Sequence, residues 1–308
     1  MKTCVTGGAG FIGSNLVDRL LADGHEVVVL DNLSTGRKEN LGEALARVEF
    51  LEGDLRDPKA VARAVAGCEV VYHQAALASV ARSVENPVEV TEVNVMGTLN
   101  VLVAARDAQV RRVVFASSSS VYGINEKVPF CEDDAVDRPI SPYATTKRAG
   151  ELLCFNYHHL YGLRTSCLRF FTVYGPSQRP EMAIAKFTDL LARGQTVPLF
   201  GTGQTRRDYT YIDDIVDGVI AALDLAPGFE IFNLGGSQTT TLIDLVHGIA
   251  GALGVEARVE MLPEQPGDVP ITFADVSKAG RMLGYSPKVP IREGLRRVAA
   301  WYRGRHAG

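Results

Sequence analysis

Short apolar runs alternate with longer segments of helical periodicity through the first 170 residues. The apolar runs have the length and composition of strands inside a parallel sheet: Lys2–Thr6, Glu26–Leu30, Val48–Leu51, Val70–His73, Arg112–Ala116 and Arg164–Arg169. The segments between them predict helices over Ser14–Ala22, Pro58–Ala66, Pro87–Ala108 and Tyr143–Tyr161. Strands that alternate with helices predict an α/β fold built on a doubly wound parallel sheet.

A glycine-rich turn, TGGAGFIG at residues 6–13, follows the first predicted strand. Gly7 permits a tight turn, Gly10 lets the backbone approach a pyrophosphate, and Gly13 lets the helix pack against the strand. The helix N-terminus then offers free backbone amides to phosphate groups. Glycines alone are common in strand-to-helix turns, but Asp31 at the end of the second strand completes the pattern of a dinucleotide site.

Asp31 decides which dinucleotide we expect. A carboxylate at this position accepts hydrogen bonds from both ribose hydroxyls and repels a 2′-phosphate. Asn32 follows it, and the cations Arg37 and Lys38 come later, in a predicted loop. The sequence therefore predicts NAD rather than NADP.

The chain after residue 170 is less regular, because proline and glycine divide it into shorter pieces. Helices are predicted over Ile215–Leu225 and Leu242–Leu253, with a strand over Ile231–Leu234 between them. We predict an NAD-binding Rossmann domain of residues 1–170, which also includes about 213–236 if that strand returns to the main sheet. A smaller C-terminal α/β lobe would comprise residues 171–212 and 237–308.

Composition and charge exclude several classes of protein. A chain of 308 residues with 46% hydrophobic and 22% charged residues is ordinary for a soluble globular protein. The net charge of −4 argues against a nucleic-acid partner. The five cysteines are scattered without a CxxC motif, which indicates neither a disulfide framework nor a metal site. We find no signal peptide and no apolar run long enough to span a bilayer, so we expect a cytoplasmic protein without a membrane partner.

Tyr143 and Lys147 lie at positions i and i+4 of a predicted helix, on one face. A nearby ammonium favours the phenolate and is expected to lower the pKa of Tyr143 from about 10, which suits a general acid or base. Alone, such a pair is common on exposed helices. Here it follows the fifth strand, which ends in a serine cluster at the sheet edge where ligands bind, and it predicts a catalytic site.

Together these motifs resemble the extended short-chain dehydrogenases, in particular the NAD-dependent nucleotide-sugar epimerases. The resemblance covers nearly the whole chain and is closest to the UDP-glucose 4-epimerases and their relatives that act on UDP-N-acetylglucosamine and UDP-glucuronate. The matching segments are Thr6–Gly13, Asp31–Asn32, Asp54, Ser117–Gly123, Tyr143–Lys147, Arg169–Gly175, Arg206–Tyr209 and Pro266–Val269.

The resemblance implies roles for three groups of residues. Ser118 and Tyr143 would handle the proton of the 4-hydroxyl, while Lys147 would hold the nicotinamide ribose and tune Tyr143. The cofactor would contact Gly7, Gly10, Phe11, Ile12, Gly13, Asp31, Asn32, Asp54, Leu55, Gln74, Ala75, Ala76, Asn94, Tyr143, Lys147 and Phe171. The UDP-sugar would contact Ser118, Tyr143, Thr172, Arg179, Phe200, Arg207, Asp268 and Thr272.

Ser119 and Ser120 point to the expected reaction. Nucleotide-sugar dehydratases resemble this chain but usually carry Asp-Glu at these positions, and decarboxylating relatives usually keep a Glu. Serine cannot donate or take a proton as a carboxyl group does. We therefore expect a UDP-hexose 4-epimerase that oxidises and re-reduces one carbon through a 4-keto intermediate with tightly bound NAD.

The signals about the sugar conflict. Thr272 lies where glucose-restricted relatives often carry a bulky Tyr, and a small residue there resembles those that admit an N-acetyl group. Arg179 lies in a segment that looks like the glucuronate branch, where it would meet a C6 carboxylate. UDP-glucose/UDP-galactose interconversion is the main interpretation, with UDP-N-acetylglucosamine or UDP-glucuronate as alternatives. A sugar-nucleotide dehydrogenase that releases NADH and a non-catalytic binding protein are lower alternatives.

The resemblance also implies a homodimer. In the family, the helices that correspond to Pro87–Ala108 and Tyr143–Tyr161 pair with their copies. Their apolar residues include Val95, Leu99, Leu102, Leu152, Leu153 and Phe155. The alternative is that these side chains face the protein's own sheet.

Overall fold

The computed structural model describes residues 1–224, 228–263 and 270–306. Its strands are β1 Lys2–Thr6, β2 Glu26–Asp31, β3 Glu49–Glu52, β4 Val70–His73, β5 Arg112–Ser118, β6 Arg164–Phe170, β7 Thr172–Tyr174, β8 Val197–Phe200, β9 Arg206–Tyr211, β10 Phe229–Leu234, β11 Thr239–Thr241, β12 Val259–Leu262 and β13 Ile271–Thr272.

The α-helices are α1 Phe11–Ala22, α2 Pro58–Val65, α3 Val80–Glu85, α4 Pro87–Thr91, α5 Gly97–Asp107, α6 Pro142–Tyr161, α7 Ala183–Ala192, α8 Ile212–Asp224, α9 Leu242–Leu253, α10 Ser277–Leu283 and α11 Ile291–His306. A π-helical turn, Glu92–Met96, joins α4 to α5 in one continuous helix. Segments Lys38–Ala46 and Ser119–Tyr122 are 3₁₀-helical.

Seven parallel strands form the main sheet in the order β10-β6-β5-β4-β1-β2-β3. Leu16 of α1 and Val219 of α8 belong to the apolar core on one face, while Val61 of α2 and Cys154 of α6 belong to the core on the other. Helices therefore cover both faces, as a sheet of buried apolar strands requires. The predicted doubly wound α/β fold is confirmed.

The second half of the chain contains elements that the sequence pattern did not predict. β11, β9 and β13 are neighbours in a small sheet in which β7 also pairs with β9, and β8 pairs with β12. These strands are short, and β9 begins with Arg206, Arg207 and Asp208. Charged residues at the start of a half-buried strand remove the apolar run on which strand prediction depends. β10 returns from this region to the main sheet and pairs with β6, with Ile231 opposite Cys167.

The continuous helix Pro87–Asp107 contradicts the expectation that no apolar run is long enough to span a bilayer. By length and composition it is apolar enough to cross a membrane, with a mean hydropathy of 1.2. Half of that apolar stretch is buried inside the protein, and Leu102 is fully buried among core residues. A core helix passes the same test of length and composition, so this helix is weak evidence for a membrane. Leu102 faces the protein's own core and is unavailable to a dimer interface.

Candidate active site

The turn that contains Gly7, Gly10 and Gly13, called the glycine cradle below, lies between β1 and α1 at the carboxyl edge of the main sheet. Gly7 has a φ of 72°, a conformation that glycine adopts without strain. A Cβ atom on Gly13 would lie 2.1 Å from the carbonyl oxygen of Gly7, so glycine is required for this close approach. Gly10 is the N-cap of α1 and provides no side-chain cap. The backbone N–H groups of the first helical turn therefore have no partner within the helix.

Four other helices in the described part of the chain begin differently. The N-terminus of each of α2, α3, α6 and α9 is capped by a side-chain oxygen that accepts a backbone N–H, from Asp57, Ser79, Ser141 and Thr241. A helix N-terminus that carries no such cap and follows a glycine turn presents N–H groups and the positive end of the helix dipole. The cradle therefore fits a pyrophosphate.

Asp31 lies at the end of β2, beside the cradle, and is 8% exposed. One carboxylate oxygen accepts the N–H of Ala9 at 2.9 Å, and the other accepts the N–H of Leu33 at 2.8 Å. Burial raises the pKa of Asp31, while these two hydrogen bonds lower it. The carboxylate is thus held in one orientation at the position where the sequence predicts a ribose.

Asp54 lies across the same cleft and has partners that the sequence analysis did not include. Arg56 donates two side-chain hydrogen bonds to its carboxylate, at 3.0 and 2.8 Å, and Asn32 donates a third at 2.9 Å. The Arg56 guanidinium holds the pKa of Asp54 well below its usual range. The Asp-x-Arg spacing was the signal in the sequence, since a turn that starts with Asp places both side chains together.

An open cleft connects these groups. Its lining contains the predicted cofactor residues Gly7, Gly10, Asp31, Asn32, Asp54, Leu55, Gln74, Ala75 and Ala76. The lining also contains residues that the sequence analysis missed, Ser34, Thr35, Gly36, Leu77 and Val93 among them. The loop of residues 34–36 carries little apolar signal, and a Cβ on Gly36 would lie 3.0 Å from the Asp31 carboxylate.

Gln74 tests whether the cleft suits a polar ligand. Both its side-chain amide atoms are buried, and neither has a hydrogen-bond partner within the described part of the chain. A buried polar group without a partner is unfavourable by about 1–3 kcal/mol. A carboxamide on the cleft wall with unused donors and acceptors, next to an anion cradle, fits a dinucleotide such as NAD.

Asn94, in the π-helical turn, holds the cleft loop to α6. Its side chain accepts the N–H of Leu77 at 2.8 Å and donates to the Leu77 carbonyl at 3.2 Å. It also donates to the Thr146 hydroxyl at 3.0 Å, and Thr146 lies between Tyr143 and Lys147 on α6. The structure thus gives Asn94 backbone and hydroxyl partners, and its predicted contact with the cofactor stays a prediction.

Ser118 and Tyr143 meet at the end of β5. Ser118 is the last residue of that strand, and Tyr143 is in the first turn of α6, which Ser141 caps by accepting the N–H of Ala144 at 3.1 Å. The Ser118 hydroxyl acts on the Tyr143 phenol and lowers its pKa. Ser120, which the sequence analysis noted only for its lack of a carboxyl group, donates its hydroxyl to Ser118 Oγ at 3.0 Å.

Lys147 lies one turn along α6 and is 4% exposed. Its ammonium donates to the carbonyl of Ala116 at 2.7 Å and lies 5.9 Å from the centroid of the Tyr143 ring. Burial lowers the pKa of Lys147 to about 8. The side chain is therefore a fixed cation at neutral pH, held under the end of β5.

The expected direction of the Tyr143 pKa shift is wrong. Burial raises the pKa of Tyr143, and the Ser118 hydroxyl and the charge of Arg179 only partly oppose this effect. Removing a phenolate from water outweighs both of these effects. Arg179 donates to the Ala78 carbonyl at 3.0 Å and pairs with Glu181 at 3.3 Å. Its charge also acts on the Tyr143 phenol.

The small sheet brings together three of the predicted substrate residues. Thr172 is opposite Tyr209 in the pairing of β7 with β9, and Thr272 is opposite Arg207 in the pairing of β13 with β9. The Thr272 hydroxyl is buried and has no hydrogen-bond partner among residues 1–224, 228–263 and 270–306. Three strands thus place Thr172, Arg207 and Thr272 along one sheet.

Other predicted residues lie elsewhere. Phe200 ends β8, opposite Leu262 of β12, outside this small sheet. Phe171 is 3% exposed and packs with the rings of Tyr122 and Phe130, at 6.3 Å between centroids in each case. Its predicted contact with the cofactor stays a prediction.

Some predicted features fall outside the described residues or concern metals. Asp268 and the motif of residues 266–269 lie outside the described residues, as does Leu225 at the end of a predicted helix. Within the described ranges, no group of three His, Cys, Asp or Glu side chains is arranged to hold a metal ion.

Comparison with known proteins identifies the family. Residues 3–235 match the model of the NAD dependent epimerase/dehydratase family. The chain is 43% identical to a UDP-glucose 4-epimerase of Mycolicibacterium smegmatis, over 98% of this chain and 99% of that protein. It is 40% identical to a UDP-glucuronate 4-epimerase of Thermodesulfobacterium geofontis, over 96% of this chain and 94% of that protein.

A solved structure agrees with these relatives. The UDP-glucose 4-epimerase of Thermus thermophilus, in complex with NAD, superposes with a TM-score of 0.91 at 38% identity, over 99% of each chain. The resemblance that the motifs predicted is confirmed. The chain belongs to the NAD-dependent epimerase/dehydratase family, and its cofactor is NAD.

Proposed function

We propose that the protein is a UDP-hexose 4-epimerase that interconverts UDP-glucose and UDP-galactose through a 4-keto sugar. The observation that carries the proposal is the buried Lys147 cation, which lies 5.9 Å from the centroid of the Tyr143 ring and is held by the Ala116 carbonyl. Positions 119 and 120 are serines, so this site lacks the carboxyl pair that elimination of water would use there. Oxidation and re-reduction at one carbon needs no such pair.

Tyr143 moves the proton of the reaction. As the hydride leaves carbon 4 of the sugar, the 4-hydroxyl gives its proton to the Tyr143 oxygen through the hydrogen bonds that Ser118 provides. The charge of Arg179 and the Ser118 hydroxyl partly offset the burial that disfavours the phenolate, which must accept this proton. When bound in the cleft, NAD would supply the hydride acceptor and donor for this oxidation and re-reduction.

Inversion requires that the keto sugar present its other face before re-reduction. Tyr143 then returns the proton to the new 4-hydroxyl, so atoms and electrons balance over the cycle. A sugar that turns cannot be held tightly, so the diphosphate and uracil must provide most of the binding energy. Arg207 is suited to a diphosphate, because a guanidinium forms paired hydrogen bonds with phosphate oxygens.

UDP-glucuronate is a second candidate substrate, and the position of Arg179 favours it. The charge of the Arg179 cation reaches the Tyr143 phenol, the group that we propose acts on the sugar. A C6 carboxylate close to carbon 4 would complement this charge. In its present contacts Arg179 binds Ala78 and Glu181, and a competing carboxylate would have to replace Glu181.

One assay separates these functions. Purified protein is given UDP-galactose without added NAD, and we expect UDP-glucose to form without net NADH. Release of one NADH per turnover would instead show a dehydrogenase. The same assay with UDP-N-acetylglucosamine and UDP-glucuronate ranks the sugars, and Arg179→Gln should reduce turnover of UDP-glucuronate far more than that of UDP-glucose if the charge binds a carboxylate.

We also propose that the protein is a cytoplasmic homodimer with a role in galactose metabolism. Leu152 and Phe155 of α6 are 52% and 50% exposed, and Val88 and Met96 of the neighbouring helix are 70% and 49% exposed. Such exposed apolar faces favour protein association. Light scattering should give a dimer at micromolar concentration, and Phe155→Glu should give a monomer. A wild-type monomer would refute the dimer, and the matched change Val255→Glu on another exposed apolar residue is the control.

A further inference from the structure

A buried carboxylate lies behind the small sheet, one residue after Arg207. Asp208 is 0% exposed. One of its oxygens accepts the N–H of Gly236 at 2.6 Å, and the other accepts the N–H of Ala274 at 3.2 Å. The Thr210 hydroxyl donates a longer bond of 3.4 Å. The carboxylate therefore links its own strand to two distant segments of the chain.

Each backbone segment that donates to Asp208 is next to a strand that pairs with Arg207, a predicted substrate residue. Asp208 itself follows Arg207 in β9, and side chains alternate along a strand, so the two residues face opposite sides of the sheet. Ala274 comes two residues after Thr272, which pairs with Arg207. The loop that contains Gly236 leads into β11, whose Thr240 also pairs with Arg207. Asp208 thus links β9, which carries Arg207, to the segments next to two of its neighbouring strands, β11 and β13.

The backbone around the carboxylate is fitted closely to it. A Cβ on Gly235 would lie 2.9 Å from the Asp208 carboxylate, and a Cβ on Gly236 would lie 3.1 Å from it. Tyr285 supports the same loop, since its hydroxyl donates to the Gly235 carbonyl at 2.9 Å. Glycine at both positions is what allows the loop to wrap the carboxylate.

The charge of this group is unfavourable for folding. Burial raises the pKa of Asp208 to about 6, so the fold must hold an ionised carboxylate away from water at neutral pH. A neutral side chain would avoid this penalty. The ionised form, however, accepts hydrogen bonds on both oxygens, whereas an amide offers an N–H group to one of the backbone donors.

We propose that Asp208 is a positioning residue for the UDP-sugar, which holds the strands carrying Arg207 and Thr272 in the register that binds the substrate. The proposal rests on the proposed UDP-sugar epimerase function. Asp208 acts through these neighbours, while the NAD cleft is built from other segments. Its loss should therefore weaken UDP-sugar binding and leave both NAD binding and the chemical step intact.

Asp208→Asn tests the proposal. We expect KM for the UDP-sugar, and the Kd for UDP measured by calorimetry, to rise about tenfold, the scale of one lost charge-assisted hydrogen bond. We expect kcat to stay within about twofold and the NAD content of the purified protein to equal that of wild type. A folded variant with unchanged KM, or with a lower kcat alone, would overturn the proposal.

Asp214→Asn is the matched control. Asp214 is 3% exposed and accepts the N–H groups of Lys288 and Val289 at 2.8 and 3.1 Å, so it is also a buried carboxylate with two backbone donors. Its partners carry no predicted substrate residue. Asp214→Asn should lower stability without changing KM, and an equal rise in KM in both variants would reduce Asp208 to a general structural role and overturn the proposal.

Tyr285→Phe decides the case in which Asp208→Asn does not fold. It removes only the hydrogen bond to the Gly235 carbonyl, and a smaller rise in KM at constant kcat would support the proposal, while an unchanged KM would overturn it. If wild-type protein binds NAD but not UDP, the proposed function fails and this inference fails with it. If wild type binds UDP and Asp208→Asn binds it equally well, this inference alone fails.

Discussion

Asp31 and Asp208 are comparable carboxylates, one beside the NAD cradle and the other in β9 of the small sheet. Each is buried, each accepts two backbone N–H groups, and burial raises the pKa of each. They differ in the origin of their partners. The donors to Asp31 lie 22 and 2 residues away, whereas those to Asp208 lie 28 and 66 residues away. The cofactor side is therefore a local unit, and the substrate side is assembled from distant segments.

This difference predicts separate consequences of mutation on the two sides. Changes in the cradle should release NAD, and changes behind the small sheet should weaken UDP-sugar binding. Tyr143 lies between the sides, so its loss should stop turnover without releasing either ligand. The following predictions are ordered from the largest expected effect to the smallest.

Tyr143→Phe should lower kcat by at least about two orders of magnitude, the scale of a general acid–base group. The phenol oxygen is the atom that takes and returns the proton, and Ser118 cannot replace it. NAD content and thermal stability should match wild type, because the ring remains. Near-normal turnover in a variant with full NAD content would contradict the mechanism, and Tyr161→Phe, at a 50% exposed position, is the control.

Gly13→Ala should strip the protein of NAD. Its Cβ would lie 2.1 Å from the Gly7 carbonyl oxygen, so the helix must move away from the turn that holds the pyrophosphate. We expect the NAD content of the purified protein to fall at least about tenfold, since lost cradle contacts of about 1–2 kcal/mol correspond to that factor. Gly251→Ala is the matched control, because a Cβ added at Gly251 would have no atom within 4 Å among the described residues. If Gly13→Ala retained NAD, the statement that changes in the cradle release NAD would be wrong.

Thr272→Tyr should change the sugar preference. Thr272 pairs with Arg207 and has a buried hydroxyl without a hydrogen-bond partner within the described ranges, so a phenol ring there would fill space beside the sugar. We expect wild type to epimerise both UDP-glucose and UDP-N-acetylglucosamine. The variant should lose about tenfold or more of its activity on the N-acetylated sugar, as expected for a steric clash worth about 1–3 kcal/mol. An unchanged ratio of the two activities would show that Thr272 is not the gate.

The smallest effect concerns stability and pH. The pKa of Asp208 is about 6 in the folded protein and 3.8 in a model peptide, so the folded state binds more protons than the unfolded state between these values. The contribution of Asp208 to stability is therefore lost as pH rises from about 4 to 6. Asp208→Asn lacks this dependence, so its unfolding temperature relative to wild type should rise by a few degrees between pH 4 and pH 7. Parallel pH curves for the two proteins would contradict this.

The same comparison explains how far the sequence predicted the structure. β1, α1, β2 and the Asp31 position were predicted because the glycine turn, the helix and the acid lie within about thirty residues and obey a local spacing rule. β4 was predicted with the same bounds that the structure gives, Val70–His73. A strand that is buried on both faces consists of a short apolar run, and this run is visible in the sequence. Such runs carry their signal in their own composition.

The strands of the substrate side show little of the apolar pattern from which strands are predicted. β9 begins with charged residues, and β13 has only two residues, so neither shows a pattern of its own. Resemblance to the family identified Arg207 and Thr272, but no spacing rule links residue 207 to residue 272. The pKa of Tyr143 was also beyond local pattern, because its direction depends on how completely the surrounding segments exclude water.

The return of β10 to the main sheet has a consequence for how the chain folds. β10 pairs with β6, yet between them the chain passes through β7, β8 and β9. During synthesis, the edge of β6 therefore stays unpaired until residue 234 has emerged, and an unpaired strand edge is a template for association with other chains. A fragment that ends near residue 170 would keep the whole glycine cradle and still expose this edge, so we expect it to aggregate. β10 is thus the last strand of the main sheet to be synthesised. The solubility of the cofactor side therefore depends on synthesis of the chain that forms the substrate side.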